Sequence, residues 1–293
     1  VSLVYSHFSF FDFFISYFGV LKNIVSFNTV AEFNIFSSLE SFFSVDKAYW
    51  NMIYHELLPT LTRGLLKSVL IIVPSAVLGL ILGVALGTAR VFGSPWLRAF
   101  CNAYTAVFRG VPLVVQLFIF YFGLTNLSFL IHMFNGTPIG DYFASRGITH
   151  FGIYLEPYQA AILCFVLCSG AYHSEYIRGA LISIKQGQIK AAEALGFSKL
   201  ATIWNIVIPQ AFRRALPGCG NEIIYLIKYS SLAYLLTYME LTGEAKNFAA
   251  RTYYFTEVFL ITGIYYLLLV TIAGIILEYL EKRLYIPGFG VNK

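Results

Sequence analysis

Five windows of this chain stay apolar over roughly the twenty residues that a helix needs to cross a bilayer core. They span about 64–86, 113–131, 159–176, 223–242 and 258–280. Membrane strands would alternate apolar and polar residues. These windows are apolar all round, so helices are the spanning elements. Composition agrees: 58% of the 293 residues are apolar and 12% are charged, against about 25% charged in soluble domains. The expected fold is an all-α membrane protein with about five transmembrane helices. A shorter apolar stretch, 8–21, contains Asp12. Its length suits an interfacial segment, with an extra span or uncleaved signal as the alternative. It lacks the basic start and small-residue cleavage site of a clean signal peptide. The chain divides accordingly into an extracytoplasmic or interfacial segment, 1–58, and a transmembrane domain, 59–290.

Lysine and arginine placement sets the expected orientation. With the N-terminus outside, the inside segments 87–112, 177–222 and 281–293 hold Arg90, Arg98, Arg109, Arg178, Lys185, Lys190, Lys199, Arg213, Arg214, Lys282, Arg283 and Lys293. The outside loops 132–158 and 243–257 hold only Arg146, Lys246 and Arg251. The C-terminus and the long loop after the third span are therefore expected in the cytoplasm. The net charge of +5 is spread over these loops, which gives a nucleic-acid partner no basic patch to bind. Cys101, Cys164, Cys168 and Cys219 are scattered and read as small packing residues.

Two local patterns stand out. Gly79, Gly83 and Gly87 recur every fourth residue in the first span, lining one face where another backbone can approach. Packing within the chain and contact with another subunit are both open. Pro74 and Pro112 are expected to kink or begin helices. The second pattern is the long loop. Residues 188–195 favour helix, Gly196 can end it in the left-handed conformation, and Ser198 can cap a second helix through Ile208. Pro209 is expected to bend or end that helix. The reading is a polar helical hairpin at the membrane face, within 177–217.

The hairpin resembles the coupling region of ABC-importer permeases. That family's pattern is Glu-Ala-Ala, three residues, Gly, nine residues, Ile-x-Leu-Pro. The chain has Lys190, Ala191 and Ala192, then Gly196, then Ile206, Ile208 and Pro209. The segments 108–113 (Phe-Arg-Gly-Val-Pro-Leu), 175–180, 183–188 and 226–232 are similar to the polar-amino-acid branch. The resemblance covers about 59–290. It implies a type I importer fold in a bacterial inner membrane, with a second permease copy or a related chain beside it. It also implies cytoplasmic ATPase subunits docking on Lys190, Ala191, Ala192, Glu193, Gly196, Ile206 and Pro209, and an extracytoplasmic solute-binding protein. ATP would be bound by the partner, and this chain would carry no cofactor. Lys190 stands where the family has Glu, and Glu193 where the branch has a basic residue. The exchange reads either as a swap matched by the ATPase or as drift at a solvated rim.

Ionisable groups inside spans are costly and point to function. Lys228, with Ser230 and Ser231, suits an amino-acid carboxylate, with Glu222 or Glu175 as counter-ion. Gln116 joins them as a residue expected on a translocation pathway. A structural Lys–Glu pair, or a lysine reaching the cytoplasmic face, is the alternative. Tyr229 replaces the family's acidic residue after that lysine. Glu240 is expected as a solvated interface residue, with gating or docking as the alternative. No phosphate loop, H-E-x-x-H or G-x-S-x-G motif occurs, and the five histidines are isolated, so no catalytic or metal site is expected. The competing function is a secondary transporter or channel, which usually shows internal repeats and broken helices.

Overall fold

The computed structural model describes residues 51–125, 133, 137–146 and 152–284. The stretch 8–21 lies outside the described residues, as does the end of the second predicted span. Every described element is a helix. A wide π-turn, Ile53–Leu57, leads into α1, Leu58–Phe92. Helix α1 runs unbroken past Pro74. Ser94 caps α2, Pro95–Gly110, by accepting from the Leu97 amide at 3.4 Å. Extended backbone at Val111 and Pro112 breaks the chain there. Helix α3, Leu113–Phe118, then leaves at 105° to α2 and continues through a second wide turn, Ile119–Gly123. Helix α4 is short, Pro138–Ser145. Helix α5, Pro157–Ile182, starts at a capping box in which Glu156 and Gln159 satisfy each other's end of the turn.

After α5 come α6, Gln186–Ala194, and α7, Lys199–Thr202. A third wide turn, Ile203–Val207, joins α7 to α8, Ile208–Tyr229. The chain tightens into a 3₁₀ segment, Ser230–Leu236, and ends with α9, Leu241–Thr252, and α10, Phe255–Leu284. Among the described residues, three helical stretches are long and apolar enough to cross a membrane alone: Ile53–Phe92, Pro157–Ile182 and Phe255–Leu284. The bent α2–α3 pair makes a fourth if counted as one span.

Two expectations are corrected. The span predicted at 223–242 is not one helix. The Ser230 hydroxyl donates to the Ile227 carbonyl at 2.7 Å and that of Ser231 to the Lys228 carbonyl at 2.8 Å, Thr237 takes a left-handed φ of 64°, and α9 fills much of the predicted loop 243–257. Nor does Pro209 end the second hairpin helix. The wide turn before it opens the backbone where a tight turn would press a carbonyl against the ring, and α8 continues for twenty residues beyond. Ala211, Ala215 and Cys219 fall on one face of α8 and bury it against Ile177, Leu181 and Ile184. Arg213 and Asn221, which lower the hydropathy, are exposed on the other side.

The core lies where α1, α3, α5 and α8 meet. Ile71, Ile72, Leu117, Cys164, Phe165, Leu226 and Ile227 are buried there. Lipid tails are as apolar as leucine, so close packing rather than water exclusion holds such helices together. The glycine face of α1 supplies it. Gly79 faces Ser169, with 3.1 Å from an ideal Cβ to the serine Cβ, and Gly87 faces Ile177 at 2.9 Å. The glycine repeat therefore serves packing within the chain. Helix α10 instead leaves Leu260, Ile264, Leu268, Ile272 and Ile276 more than half exposed.

Candidate translocation pocket and cytoplasmic hairpin

A cavity of ≈ 390 Å³ opens between α2, α3, α5 and α8. Glu222, Tyr225 and Tyr229 enter it from α8, at spacings that keep them on one helix face. Tyr172 and Tyr176 enter it from α5, and Phe108 and Val111 come from the α2 end. Glu222 is 3% exposed. Its Oε1 accepts from the Tyr229 hydroxyl at 2.9 Å. Among the described residues no lysine or arginine pairs with it.

The other predicted pathway residues are placed differently. Lys228 is exposed rather than buried, and its Nζ sits 5.1 Å over the ring of Tyr225, a residue that lines the cavity. Ser230 and Ser231 turn their hydroxyls back onto the helix. Gln116 is buried, and its amide donates to the Phe108 carbonyl at 2.9 Å and the Val111 carbonyl at 2.7 Å. It thus ties the two sides of the α2–α3 bend, taking up carbonyls that the break leaves unpaired.

Glu175 does not meet Lys228. It is the hub of three arginines: Arg90 at 2.9 Å, Arg109 at 3.0 Å and Arg178 at 2.9 Å. Arg90 also donates to Ser174 and Asn102, and Arg109 stacks on Tyr172. The cluster joins α1, α2 and α5. Arg178 is an i,i+3 neighbour of Glu175, but Arg90 and Arg109 come from distant parts of the chain and leave no signal in spacing. Neither do the four tyrosines of the cavity, which span two helices and become neighbours only on packing.

The hairpin is formed as its residues suggest. Helix α6 ends in a Schellman turn: the Phe197 amide donates to the Ala192 carbonyl at 3.1 Å and the Gly196 amide to Glu193 at 3.0 Å. Gly196 has φ +86° with open space around it, so its requirement is one of backbone conformation. Ser198 then accepts from the Ala201 amide at 3.2 Å. Ala192 is buried, while Lys190, Ala191 and Glu193 are exposed and form no ion pair with each other. Leu195, Leu200 and Trp204 are 80%, 70% and 66% exposed. Ile206 is half-buried and Pro209 exposed. Such a row of large apolar side chains on a polar hairpin is the usual mark of a protein contact.

Comparison with known proteins follows this geometry. Residues 77–285 match the family described as binding-protein-dependent transport system inner membrane component. An octopine transport system permease protein of Rhizobium radiobacter is 35% identical over 225 residues, covering 77% of this chain and 86% of the relative. An arginine transport system permease protein of Bacillus subtilis is 33% identical over 227 residues, covering 78% and 93%. Among solved structures, an amino acid ABC transporter crystallised with histidines superposes with a TM-score of 0.65 at 24% identity, over 82% of this chain and 99% of that one. A methionine ABC transporter in inward-facing form gives 0.59 at 16% identity, over 78% and 98%. These two show the fold. With the family model covering well over half its length, the chain belongs to the family of inner-membrane components of binding-protein-dependent transport systems.

Proposed function

We propose that this chain is the permease subunit of an ATP-driven importer of polar amino acids. In this reading it forms the solute pathway and couples through 188–208 to ATPase subunits that bind the nucleotide. A second permease copy or a related chain completes the pathway, and an extracytoplasmic binding protein delivers the solute. The N-terminus lies outside and the C-terminus inside. The observation that carries the reading is the hairpin: a capped, glycine-terminated α6–α7 pair with three large apolar side chains exposed beside Ala191 and Ala192. A solvated connector has no use for Trp204 and Leu195 in water. The names of the octopine and arginine relatives support the solute class. ATP-driven closure would push the hairpins and rock the helices between two states. In a secondary transporter the hairpin would have no partner.

Co-purification tests the coupling. Wild-type permease should retain its cognate ATPase in detergent. Gly196→Asp places a side chain in the left-handed region, at about 1 kcal/mol, and adds charge to the contact; Ala191→Arg adds bulk. Each should lower retention at least tenfold while the permease stays monodisperse. Retention unchanged by both substitutions, or absent in wild type, refutes the importer reading.

Within the pathway, Lys228, over the ring of Tyr225, is the group we assign to the solute's carboxylate. Lys228→Ala should raise the KM for uptake at least fivefold in reconstituted vesicles, for amino acids of any side chain. An unchanged KM removes Lys228 from the pathway.

A further inference from the structure

A second concavity, of ≈ 110 Å³, lies between α1, α5, α8 and α10. It shares no lining residue with the cavity around Glu222, and its chemistry is different. Of the residues lining it, only Thr88 and Cys219 carry a polar side-chain atom. A polar solute finds no partner there, whereas apolar cavities stay dry and take apolar guests. Small residues create the space: Ala211, Ala215 and Gly220 belong to its α8 wall. Val84 and Phe212, on the flanking helices, are exposed, so the concavity opens sideways as a groove. Thr88 lies one turn from the end of α1, Leu181 beside the end of α5 and Ile208 at the start of α8. From Ile208 to Ile223 the groove follows α8 for about 22 Å. One leaflet with its headgroups is about as deep, half of 40–45 Å.

The rim at the hairpin end is basic. Gly220 faces Leu277 of α10, at 3.2 Å from an ideal Cβ. Arg213 precedes Gly220 by seven residues, two turns, and so shares its side of α8. That puts Arg213 at the α10 edge of the groove. It is exposed and has no ion pair among the described residues. The end of α10 does not cancel its charge: Glu278 is held by Lys282 at 2.6 Å, and Glu281 is matched by Arg283. Anionic headgroups of the cytoplasmic leaflet are drawn to basic groups at such helix ends. A second permease copy would bring a helix about 10 Å across, which would rest on the rim without entering the slot.

We infer that this groove holds one acyl chain of an anionic glycerophospholipid of the cytoplasmic leaflet, with the lipid phosphate against Arg213. The chain supplies the packing that Ala211, Ala215 and Gly220 leave out. Helix α8 also carries Glu222 and Tyr225 into the other cavity and begins at the turn that ends the hairpin. The bound lipid therefore bears on how α8 moves when the hairpin is pushed. The importer reading enters in one place, by making the hairpin end of the groove cytoplasmic.

The test exposes the full-length permease in detergent to equal amounts of phosphatidylglycerol and phosphatidylcholine, and native mass spectrometry reads the lipid retained per chain. One basic side chain at the surface shifts the balance about fivefold toward anionic lipid, and that is the preference expected of wild type. Arg213→Gln should abolish the preference and Arg213→Lys should keep it. Val84→Phe pushes a ring into the groove from α1 and should abolish retention of both lipids. If that variant misfolds, the two Arg213 variants decide, since they change only an exposed side chain. Wild type without retained lipid, a preference unmoved by Arg213→Gln, or retention unmoved by a folded Val84→Phe overturns the inference. So does a cross-link between two permease copies through Phe212→Cys, which would put a second chain over the groove. No ATPase takes part in these measurements. A permease that keeps its lipid and never binds an ATPase refutes the importer reading alone, and one that couples without retaining lipid refutes only this inference.

Discussion

Glu240→Ala should destabilise the permease by about 3–5 kcal/mol, because it removes the acceptor that holds three helices together. Glu240 is fully buried at the start of α9. Its Oε2 accepts from the Ser68 hydroxyl of α1 at 3.1 Å, the Thr242 amide at 3.0 Å and the Tyr266 hydroxyl of α10 at 2.9 Å. Its Oε1 accepts from the Gly243 amide at 3.0 Å. Ser68 in turn accepts from the Leu241 amide at 3.1 Å. Alanine leaves the Ser68 hydroxyl and the Thr242 and Gly243 amides without their acceptor, and Tyr266 with only the Thr242 hydroxyl at 2.9 Å. Glu240→Gln keeps the length and one acceptor oxygen, and should cost less than half as much. Thermal unfolding of the detergent-solubilised protein measures both. A solvated interface residue, the expectation from sequence, would change stability by no more than about 0.5 kcal/mol on substitution. An alanine variant that unfolds with wild type would restore that expectation.

Glu240 illustrates where the sequence stops being readable. A carboxylate at the edge of an apolar window has the same local context whether it faces water or caps the next helix. The difference is made by Ser68 and Tyr266, which are 172 and 26 residues away. The spans of α1, α5 and α10 were legible because apolar length alone specifies them. The fourth was misplaced because hydropathy measures one chain at a time. Helix α8 hides its small residues, Ala211, Ala215 and Cys219, against α5, so it needs no long apolar run. The 3₁₀ segment after it is apolar without being part of a straight helix. The hairpin was legible because its signals are local. A left-handed glycine and a serine cap act through the neighbouring three or four peptide groups.

The pocket was legible in part. An ionisable residue in a span is a strong signal, and it pointed to Lys228, Glu222 and Glu175 together. Helix phase then separates them. Glu222, Tyr225 and Tyr229 share the face toward α5, and Lys228 falls at its edge. Glu175, on α5, is instead taken up by Arg90, Arg109 and Arg178. A counter-ion assignment by proximity in sequence could not distinguish these faces across two helices. Gln116 was expected on the translocation pathway. Its side-chain amide is spent on the Phe108 and Val111 carbonyls at the bend, where the helix break itself creates the need.

The glycine repeat yields the second large effect, and a control inside the same chain. Gly83→Ala should destabilise the protein by about 2 kcal/mol or more, whereas Gly274→Ala should be neutral or slightly stabilising. An ideal Cβ on Gly83 would overlap the Cβ of His173 on α5 and come within 3.2 Å of the Gly170 carbonyl. Those atoms belong to the facing backbone and to its first side-chain carbon, so no rotamer change relieves the contact. The two helices must separate, and over-packing of this kind typically costs about 1–3 kcal/mol. The loss spreads along the seam, because Gly79 against Ser169 and Gly87 against Ile177 depend on the same helix separation. Separation also opens space beside the buried His173, whose ring nitrogens have no hydrogen-bond partner. Gly274 lies in α10 with nothing within 4 Å of its ideal Cβ, so there alanine brings only its better helix propensity, worth up to about 1 kcal/mol. Both variants change a helical glycine in a membrane span by one methyl group, which cancels any general effect of hydrophobicity. Unfolding midpoints in detergent should therefore part in opposite directions. Equal midpoints would mean that α1 and α5 are not held together by the glycine face, and that the wider contacts of Ile71 and Phe165 carry the packing instead.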